Sequence, residues 1–337
     1  MKKKKIFIIA EAGVNHNGKI KFAKNLIKEA AKSGADAVKF QTFKADTLVT
    51  KKAKKAKYQI SKHDKNKKQY QMLKQLELTK KMHLECIKEC KKNNILFMSS
   101  PFDIESANFL IKLKVNVFKI PSGEITNLPL LRFLGKLNKK LILSTGMSTI
   151  KEIKDAIRVL IKSGTKRNKL TVLHCNSEYP SPFKDLNLNA IKYMRDKLKL
   201  DIGYSDHSIG IEVPIAVAAL GATIIEKHFT LNKKMFGPDH STSIEPHELK
   251  IMVDKIRNIE IAMGKFKKIV TNSEKKNIKI VRKSIYAACE IQKNQFFSSK
   301  NLQILRPYIG ISPMKIDTLI GKKSKFNFKK GQLIKIN

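Results

Sequence analysis

The feature that most constrains the fold of this sequence is an eightfold alternation between short β-rich runs and helical patterns. The β-rich runs lie at 6–12, 37–43, 95–100, 117–122, 140–145, 170–176, 201–207 and 223–229. The helical patterns lie at 20–33, 79–93, 103–112, 127–137, 149–163, 187–199, 209–220 and 245–263. Eight strands, each followed by a helix, over about 260 residues are typical of a (β/α)8 TIM barrel. An open doubly wound sheet is the alternative, but it would favour a GxGxxG phosphate loop, which is absent.

Local signals mark where the predicted helices begin and end. Asp103 precedes IESANFL, and Thr149 begins TIKEIKDAI with Glu152 three residues later, the spacing of a capping box. Ser243, just before IEPHEL, predicts a further helix start. Glycines predict four helix ends, at Gly34, Gly164, Gly221 and Gly264.

The alternation stops near residue 265, which predicts a domain boundary. Residues 1–265 form the predicted barrel, and the polar, lysine-rich stretch 266–282 is predicted to be a linker. Residues 283–337 carry short strands and turns, which predict a small β-rich second domain. A domain of about 55 residues is marginally stable alone, so we expect it to dock on another surface.

The N-terminus and the cysteines favour a cytoplasmic protein. No apolar run approaches the ~20 residues that cross a bilayer. In MKKKKIFIIAEAG the apolar part is too short for a signal peptide, so we interpret it as a first strand. The four cysteines form no CxxC pair, and Cys86 and Cys90 are expected to be packed or solvated thiols.

The charge of the chain favours anionic small molecules over nucleic acid. The 337 residues include 69 Lys and Arg against 28 Asp and Glu, a formal net charge of +41. Only seven of these are Arg, the residue that contacts bases and phosphates bidentately. We therefore predict no nucleic-acid and no membrane partner, with a basic nucleic-acid- or surface-binding protein as the alternative from another class.

Polar side chains stand at nearly every predicted strand end, which is where barrel enzymes place their active sites. Chance alone does not readily bring two Lys, two His and two Glu to one barrel mouth. The strand-end residues are Glu11, Lys39, Gln41, Ser99, Ser100, Lys119, Ser122, Glu124, Ser144, His174, Asn176, Ser205, Asp206, His207, Glu226 and His228.

Lys39 and Lys119 lie inside apolar strands, where an ammonium is costly unless it meets an anion. Three interpretations stay open. The lysines could extend to the rim of the barrel, form a Schiff base with a carbonyl substrate, or clamp a phosphate or carboxylate. Serine hydroxyls at 100, 122 and 144 would support the clamp.

His207 and His228 end neighbouring strands, so their imidazoles could share one divalent ion with positions left for water and substrate. Asp206 and Glu226 are predicted to orient these ligands. His16 is predicted either to belong to the turn after the first strand or to line the mouth. The remaining histidines, expected on the solvated surface, are His63, His83 and His247.

In this order along the chain, nine motifs resemble the bacterial sialic acid (N-acetylneuraminate) synthases. They are EAGVNHNG, VKFQTFKAD, SSPFD, FKIPSGE, ILSTGM, LHCNSEYP, SDHS, EKHFT and GPDHSTSIEP. The C-terminal RKSI, RP, GISP and KGQLI are similar to the antifreeze-like (SAF) domain of that family. Since the match spans essentially the whole chain, it is far more specific than any one motif.

The resemblance implies a metal-dependent barrel with a C-terminal SAF domain, assembled as a domain-swapped homodimer. It implies condensation of phosphoenolpyruvate with an N-acetylated amino-sugar aldehyde, N-acetylmannosamine, to N-acetylneuraminate with release of phosphate. His207 and His228 would hold the metal, Mn²⁺ first and Mg²⁺ second. Glu11 would be the catalytic carboxylate.

The resemblance also implies the substrate contacts. Phosphoenolpyruvate would be bound by Lys39, Ser100, Lys119, Ser122, Ser144 and Ser205. The sugar would be lined by Gln41, Glu124, Tyr179 and Asp239, and Arg306 would reach the N-acetyl group in the partner's barrel. Two departures are Tyr308, where the family usually has Gly, and Ser100, where many relatives have Thr.

Other assignments stay open at this stage. A close relative would act on 2,4-diacetamido-2,4,6-trideoxymannose and make legionaminic acid. A synthase for a phosphorylated sugar would need a second basic cluster at the strand ends, which the sequence does not show. The SAF tail could instead be an ice-binding or carbohydrate-binding module.

Overall fold

The computed structural model describes residues 5–56 and 68–336. Within them eight parallel strands form a closed barrel in sequence order, with the eighth paired to the first. The predicted (β/α)8 barrel is therefore confirmed. The strands are β1 Phe7–Gly13, β2 Ala37–Thr42, β3 Leu96–Pro101, β4 Val117–Ile120, β5 Lys140–Ser144, β6 Leu170–Cys175, β7 Asp201–Asp206 and β8 Ile224–His228.

Helices follow the strands and surround the barrel. Among the described residues between β2 and α4, two additional helices, α2 and α3, lie where no helix was predicted. The helices of the barrel unit are α1 Ile20–Lys32, α2 Ala45–Leu48, α3 Gln69–Gln75, α4 Lys80–Lys92, α5 Ile104–Lys112, α6 Leu128–Lys136, α7 Ile150–Ser163, α8 Ala190–Leu198, α9 Glu212–Ala219 and α10 Pro246–Ala262.

Two of the three predicted helix starts are observed as capping hydrogen bonds. Asp103 Oδ1 accepts from the Ser106 amide at 2.6 Å, and Thr149 with Glu152 forms the predicted capping box of α7. The third was wrong, because α10 begins after Glu245, whose capping box pairs it with Glu248. Ser243 instead donates to the Asp239 carbonyl at 2.7 Å and so ties down the loop before α10.

The glycines predicted to end helices follow α1, α7, α9 and α10, and all four have positive φ. Glycine adopts positive φ at little energetic cost. Each of these helices therefore ends just before the glycine that the sequence predicts as its end.

The barrel interior has an apolar layer made by one side chain from each of several strands. Its buried members come from β1, β2, β3, β5, β6 and β8: Ile9, Ala37, Met98, Ile142, Leu173 and Ile224. A larger apolar core lies between the strands and the helices. This filled lower layer supports the polar side chains that stand above it at the C-terminal ends of the strands.

The C-terminal part of the chain is a separate compact unit, residues 265–337. It contains α11 Asn272–Val281 and the antiparallel pair β9 Ser284–Ala287 and β10 Leu302–Leu305. Its own apolar core includes Ile285, Phe297 and Phe328. The predicted small β-rich domain is thus observed, and the division from the barrel unit falls after Gly264.

The segment 266–282, predicted as a linker, contains helix α11. Thr271 and Glu274 form a capping box at its start, which a sequence scan for helix starts would have found. Among the described residues, no helix is both long and apolar enough to cross a membrane.

Several minor predictions are settled by burial. His83 was expected on the surface but is fully buried, with Nε2 2.9 Å from Thr42 Oγ1. Cys86 and Cys90 are packed in the core, and His247 is exposed as predicted. The prediction for His63 lies outside the described residues.

Candidate active site

Strand alternation places the charged residues inside the barrel. Side chains two residues apart on a strand share a face, so Glu11 lies on the same face as Ile9 of the apolar layer. In the same way Glu226 and His228 follow Ile224 on β8. The inner face of the barrel therefore changes from apolar to charged toward the C-terminal ends of the strands.

Four buried charged side chains form a cluster across the barrel, named here the charged cluster: Glu11, Lys39, Lys119 and Glu226. Lys39 Nζ lies 2.7 Å from Glu11 Oε2 and 3.7 Å from Glu226 Oε2. Lys119 Nζ donates to Glu226 Oε1 at 2.7 Å. Since β4 and β8 are not neighbours in the barrel, the Lys119–Glu226 contact spans its interior.

The charged cluster gives its two carboxyl groups opposite properties. Burial raises the pKa of Glu11 to about 7, and the attraction of Lys39 offsets only part of this rise. Burial also opposes ionisation of Glu226, but Lys119 and Lys39 together outweigh it and lower the pKa of Glu226 below its usual value. Near neutral pH, Glu226 is an anion while Glu11 can gain or lose a proton.

Two serine hydroxyls, those of Ser100 and Ser205, contact the charged cluster. Lys39 Nζ donates to Ser100 Oγ at 3.2 Å, and Ser205 Oγ donates to Glu226 Oε1 at 3.0 Å. Ser144 Oγ is buried and has no hydrogen-bond partner among the described residues. Ser122 Oγ accepts from the Gly146 amide at 3.0 Å. These hydroxyls and two ammonium groups form a set of donors suited to a small anion.

The predicted histidine pair comes together at the adjacent ends of β7 and β8. The ring centroids of His207 and His228 are 5.4 Å apart, and the Tyr179 ring lies 4.1 Å from that of His207. His207 Nδ1 donates to the Asn176 carbonyl, which leaves the lone pair of the neutral ring on Nε2. His228 Nδ1 is buried without a hydrogen-bond partner among the described residues, 3.7 Å from Asp239 Oδ2.

These two imidazoles fit the requirements of a divalent metal ion. Burial lowers the pKa of His207 to about 4 and that of His228 well below its usual value, so both rings are neutral at pH 7. Neutral imidazole is the form that binds metals, and a carbonyl fixes the tautomer of His207. The described residues contain no group of three or more His, Cys, Asp or Glu placed to hold an ion. A metal site made by His207 and His228 stays a prediction.

The residues predicted to orient the histidines have other partners. Asp206 faces away from the mouth and pairs with Lys227 at 2.5 Å, while Glu226 belongs to the charged cluster. Alternation turns Asp206 to the face opposite His207, so its carboxylate pairs with Lys227 and not with an imidazole. His174 likewise faces outward, with Nε2 2.8 Å from the Leu186 carbonyl.

The predicted sugar contacts are only partly brought together. Glu11, Gln41 and Asp239 surround Gly13: a Cβ there would lie 3.3 Å from Glu11 Oε1, 3.5 Å from Gln41 Nε2 and 3.6 Å from Asp239 Oδ2. The Tyr179 ring contacts the rings of both His207 and His228. Glu124 instead accepts from Asn127 at 2.6 Å, in the turn after β4.

Arg306 belongs to the C-terminal unit. Its Nε donates to the Val281 carbonyl at 2.8 Å, and the Tyr308 amide donates to the Lys279 carbonyl at 2.8 Å. The loop that carries Arg306 is thus anchored to the C-terminal end of α11. The role of Arg306 toward a sugar stays a prediction.

His16, left open between turn and mouth, is a buried turn residue. Its Nδ1 accepts from the Gly18 amide at 3.0 Å, and burial lowers its pKa to about 4.

Glu226 was underestimated as a site residue. Glu226 is the anion that Lys39 and Lys119 both contact, whereas these lysines were predicted to bind an anionic substrate. The signal was available, because Glu226 stands two residues before His228 and so shares its face. Asn176, through its carbonyl, is a second residue whose role became visible only in the structure.

A closed (β/α)8 barrel with a charged cluster and a histidine pair at its C-terminal mouth has the architecture of a barrel enzyme. Residues 26–268 match the NeuB family, and residues 282–337 match the SAF domain. This chain belongs to the NeuB family. It is therefore an enzyme of the phosphoenolpyruvate-dependent synthase class, and the predicted family resemblance is confirmed.

Two curated relatives are both named N,N'-diacetyllegionaminic acid synthase. The protein of Campylobacter jejuni is 53% identical over 98% of this chain and 99% of its own length. That of Legionella pneumophila is 43% identical over 96% of this chain and 92% of its own length. The crystal structure of the N-acetylneuraminic acid synthetase of Leptospira borgpetersenii is 35% identical, with a TM-score of 0.73, and covers 82% of this chain and 91% of that one.

Proposed function

We propose that this enzyme is an N,N'-diacetyllegionaminic acid synthase. It would condense phosphoenolpyruvate with 2,4-diacetamido-2,4,6-trideoxymannose and release phosphate. The observation that carries the proposal is the 53% identity over nearly the full length of both chains to a relative of that name. The N-acetylneuraminate synthase that the sequence motifs favoured becomes the second candidate, supported by the 35% identical solved structure.

The charged cluster supports binding of phosphoenolpyruvate. Lys39 and Lys119 are buried, and their present partners are the two carboxylates of the cluster. Protonation of Glu11, whose pKa is about 7, frees positive charge for an incoming carboxylate or phosphate. The donors of Ser100, Ser144 and Ser205 would complete this pocket.

The proposed reaction forms one carbon–carbon bond and breaks one carbon–oxygen bond. Carbon 3 of phosphoenolpyruvate attacks the aldehyde carbon, and the aldehyde oxygen takes up a proton. Water adds to carbon 2, forming a new carbon–oxygen bond and losing one proton. The bond between carbon 2 and the phosphate ester oxygen then breaks as the new hydroxyl loses its proton, which leaves a ketone and inorganic phosphate. The atoms balance when one water molecule is consumed. The task of the enzyme is to move protons and to neutralise the charge of the substrates.

Glu11 is the residue we assign to proton movement. Its Oε1 faces the space around Gly13 that Gln41 and Asp239 also border, where the aldehyde would lie. A carboxyl group with a pKa near the working pH both accepts and donates protons efficiently. Lys39, 2.7 Å away, stabilises the ionised form.

We propose that His207 and His228 hold the divalent ion, Mn²⁺ first and Mg²⁺ second. When bound, the ion would polarise the aldehyde oxygen as a Lewis acid. Chelation is expected to abolish phosphate release, and added Mn²⁺ or Mg²⁺ is expected to restore it. Full activity in excess chelator would contradict the two-histidine site.

We further propose a domain-swapped homodimer. Four large apolar side chains are exposed on the loops after β5, β6, β7 and β8, between 57% and 76% of their surface: Met147, Phe183, Ile209 and Phe236. Exposed apolar surface around a polar mouth is typical of a binding interface. The C-terminal unit of a second copy, which carries Arg306, is the proposed occupant.

Substrate choice is tested by measuring phosphate release with the two sugars side by side. The diacetamido sugar carries an acetamido group at carbon 4 and a methyl group at carbon 6. N-acetylmannosamine carries a hydroxyl group at carbon 4 and a hydroxymethyl group in place of that methyl. We expect kcat/KM for the diacetamido sugar to exceed that for N-acetylmannosamine by about 10-fold or more. The reverse order would favour the second candidate, and no phosphate release with either sugar would contradict both.

A further inference from the structure

A buried ion pair lies directly behind the histidine pair. Asp206 and Lys227 occupy paired positions on β7 and β8, each one residue before a histidine. Lys227 Nζ lies 2.5 Å from Asp206 Oδ2, and the two side chains are 1% and 0% exposed. They face the helix layer, opposite to His207 and His228, so they contact neither the charged cluster nor the mouth.

Ser208 extends this pair around His207. Asp206 Oδ1 accepts from the Ser208 amide at 3.1 Å and from Ser208 Oγ at 2.8 Å. Lys227 Nζ also donates to the Ser208 carbonyl. The residues before and after His207 are therefore both tied to the residue that precedes His228.

We propose that Lys227, with Asp206 and Ser208, is a positioning residue that holds the two imidazoles at the separation one metal ion requires. The proposal rests on the two-histidine metal site of the proposed function. A fully buried ion pair adds little net stability over apolar residues of the same volume, so stability alone does not account for it. The ion pair fixes the register of β7 against β8. A one-residue slip between these strands would turn one of the two histidines out of the mouth of the barrel.

The test compares Mn²⁺ binding by metal-free full-length proteins in isothermal titration calorimetry. The double variant Asp206→Leu with Lys227→Met replaces the pair by apolar side chains without leaving one charge buried. We expect its Mn²⁺ dissociation constant to rise about 10- to 100-fold, the usual effect of removing groups that orient metal ligands. Circular dichroism and thermal unfolding monitor its fold.

A matched control lies at the other end of the barrel. Asp36 and Arg257 form an ion pair at 2.8 Å that ties α10 to the start of the barrel strands. The variant Asp36→Leu with Arg257→Met is expected to lower the unfolding temperature while leaving Mn²⁺ affinity unchanged. This control separates loss of stability from loss of positioning.

Wild-type Mn²⁺ affinity in the folded Asp206→Leu, Lys227→Met protein would overturn the inference and leave the proposed function intact. If that protein does not fold, Ser208→Ala decides, because it keeps the ion pair and removes one hydrogen bond to Asp206. Weaker Mn²⁺ binding by Ser208→Ala supports the inference, and unchanged binding overturns it. Wild-type protein that binds no Mn²⁺ would overturn the metal site and this inference together.

Discussion

Glu11 has a pKa near neutrality because two opposing effects act on one carboxyl group. Burial disfavours its charge, and Lys39 at 2.7 Å favours it. Glu226 receives both lysines and stays ionised, so two glutamates in one cluster differ in protonation. Opposite protonation of neighbouring carboxyl groups is a recurring basis of acid–base chemistry in enzymes.

The substitution Glu11→Gln is expected to lower turnover by about 100-fold or more, the usual size of a general acid–base contribution. The amide keeps the shape of the side chain but cannot carry the proton. Steady-state phosphate release measures the loss, with Mn²⁺ binding as the control that should persist. Turnover close to wild type would remove Glu11 from the mechanism.

The titration of Glu11 should also make the free energy of unfolding depend on pH. Folding raises the pKa of Glu11 from 4.5 to about 7, so the folded state favours the protonated form. Its stabilising contribution is complete below pH 4.5 and is lost as the pH rises through about 7. From about pH 5 to about pH 8, wild type should lose about 1–3 kcal/mol of unfolding free energy relative to Glu11→Gln.

Urea denaturation of both proteins at the two pH values measures this difference. Groups remote from the charged cluster titrate equally in wild type and variant, so they cancel in the comparison. If the unfolding free energies of the two proteins changed equally with pH, Glu11 would have the same pKa in the folded and the unfolded chain, which would contradict the prediction.

At the scale of elements, neighbouring strands of the barrel approach each other closely at Gly203. Gly203 lies in the middle of β7, where a Cβ would come 2.5 Å from both the Ile224 carbonyl oxygen and Leu173 Cδ2. Backbone and core atoms on both sides leave no room for a methyl group. Glycine is therefore required at this position by packing against β6 and β8.

Gly203→Ala is expected to destabilise the barrel by about 1–3 kcal/mol, the usual cost of an inserted methyl group in a packed core. Thermal or urea unfolding measures it. Gly321→Ala is not a neutral comparison because Gly321 has positive φ, whereas Gly123→Ala meets no atom within 4 Å and serves as the control. Equal stability of the two variants would contradict the packing argument.

Element starts and ends were largely predictable because they depend on local chemistry. Capping residues and glycines act within one turn, so Asp103, Thr149 and Gly164 mark helix boundaries in the sequence itself. Ser243 failed as a marker because its hydroxyl found a partner in the preceding loop. Helix α11 was missed because its lysine-rich sequence favoured the interpretation as a linker.

At the scale of the whole molecule, the C-terminal unit is the part that the proposed homodimer would exchange between two copies. Its core is separate from that of the barrel unit, and Arg306 is anchored within it to α11. In a swapped homodimer, Arg306 of one copy would serve the barrel of the other.

Mixing two defective variants tests this exchange. In a swapped heterodimer of Glu11→Gln and Arg306→Ala, one barrel has an intact Glu11 and receives an intact Arg306 from its partner. Random association makes half of the dimers mixed, so about a quarter of the wild-type sites should recover. Phosphate release after co-refolding or co-expression measures the recovery.

The unmixed variants are the controls, and sedimentation measures the oligomeric state. Recovery no greater than the sum of the unmixed activities, in mixtures shown to contain heterodimers, would contradict the swap. A monomeric wild type would contradict the homodimer itself.

The sequence by itself determined the eightfold barrel, the C-terminal domain and the chemistry available at the strand ends, because alternation and capping are local patterns. It also placed His207 and His228 on neighbouring strands. The tertiary structure alone decided which polar groups meet: that Glu226 contacts Lys119 across the barrel, and that Asp206 faces Lys227 behind the histidines. The physical reason is that period-two alternation divides a strand into two faces, while only barrel closure determines which face is inside and what stands opposite.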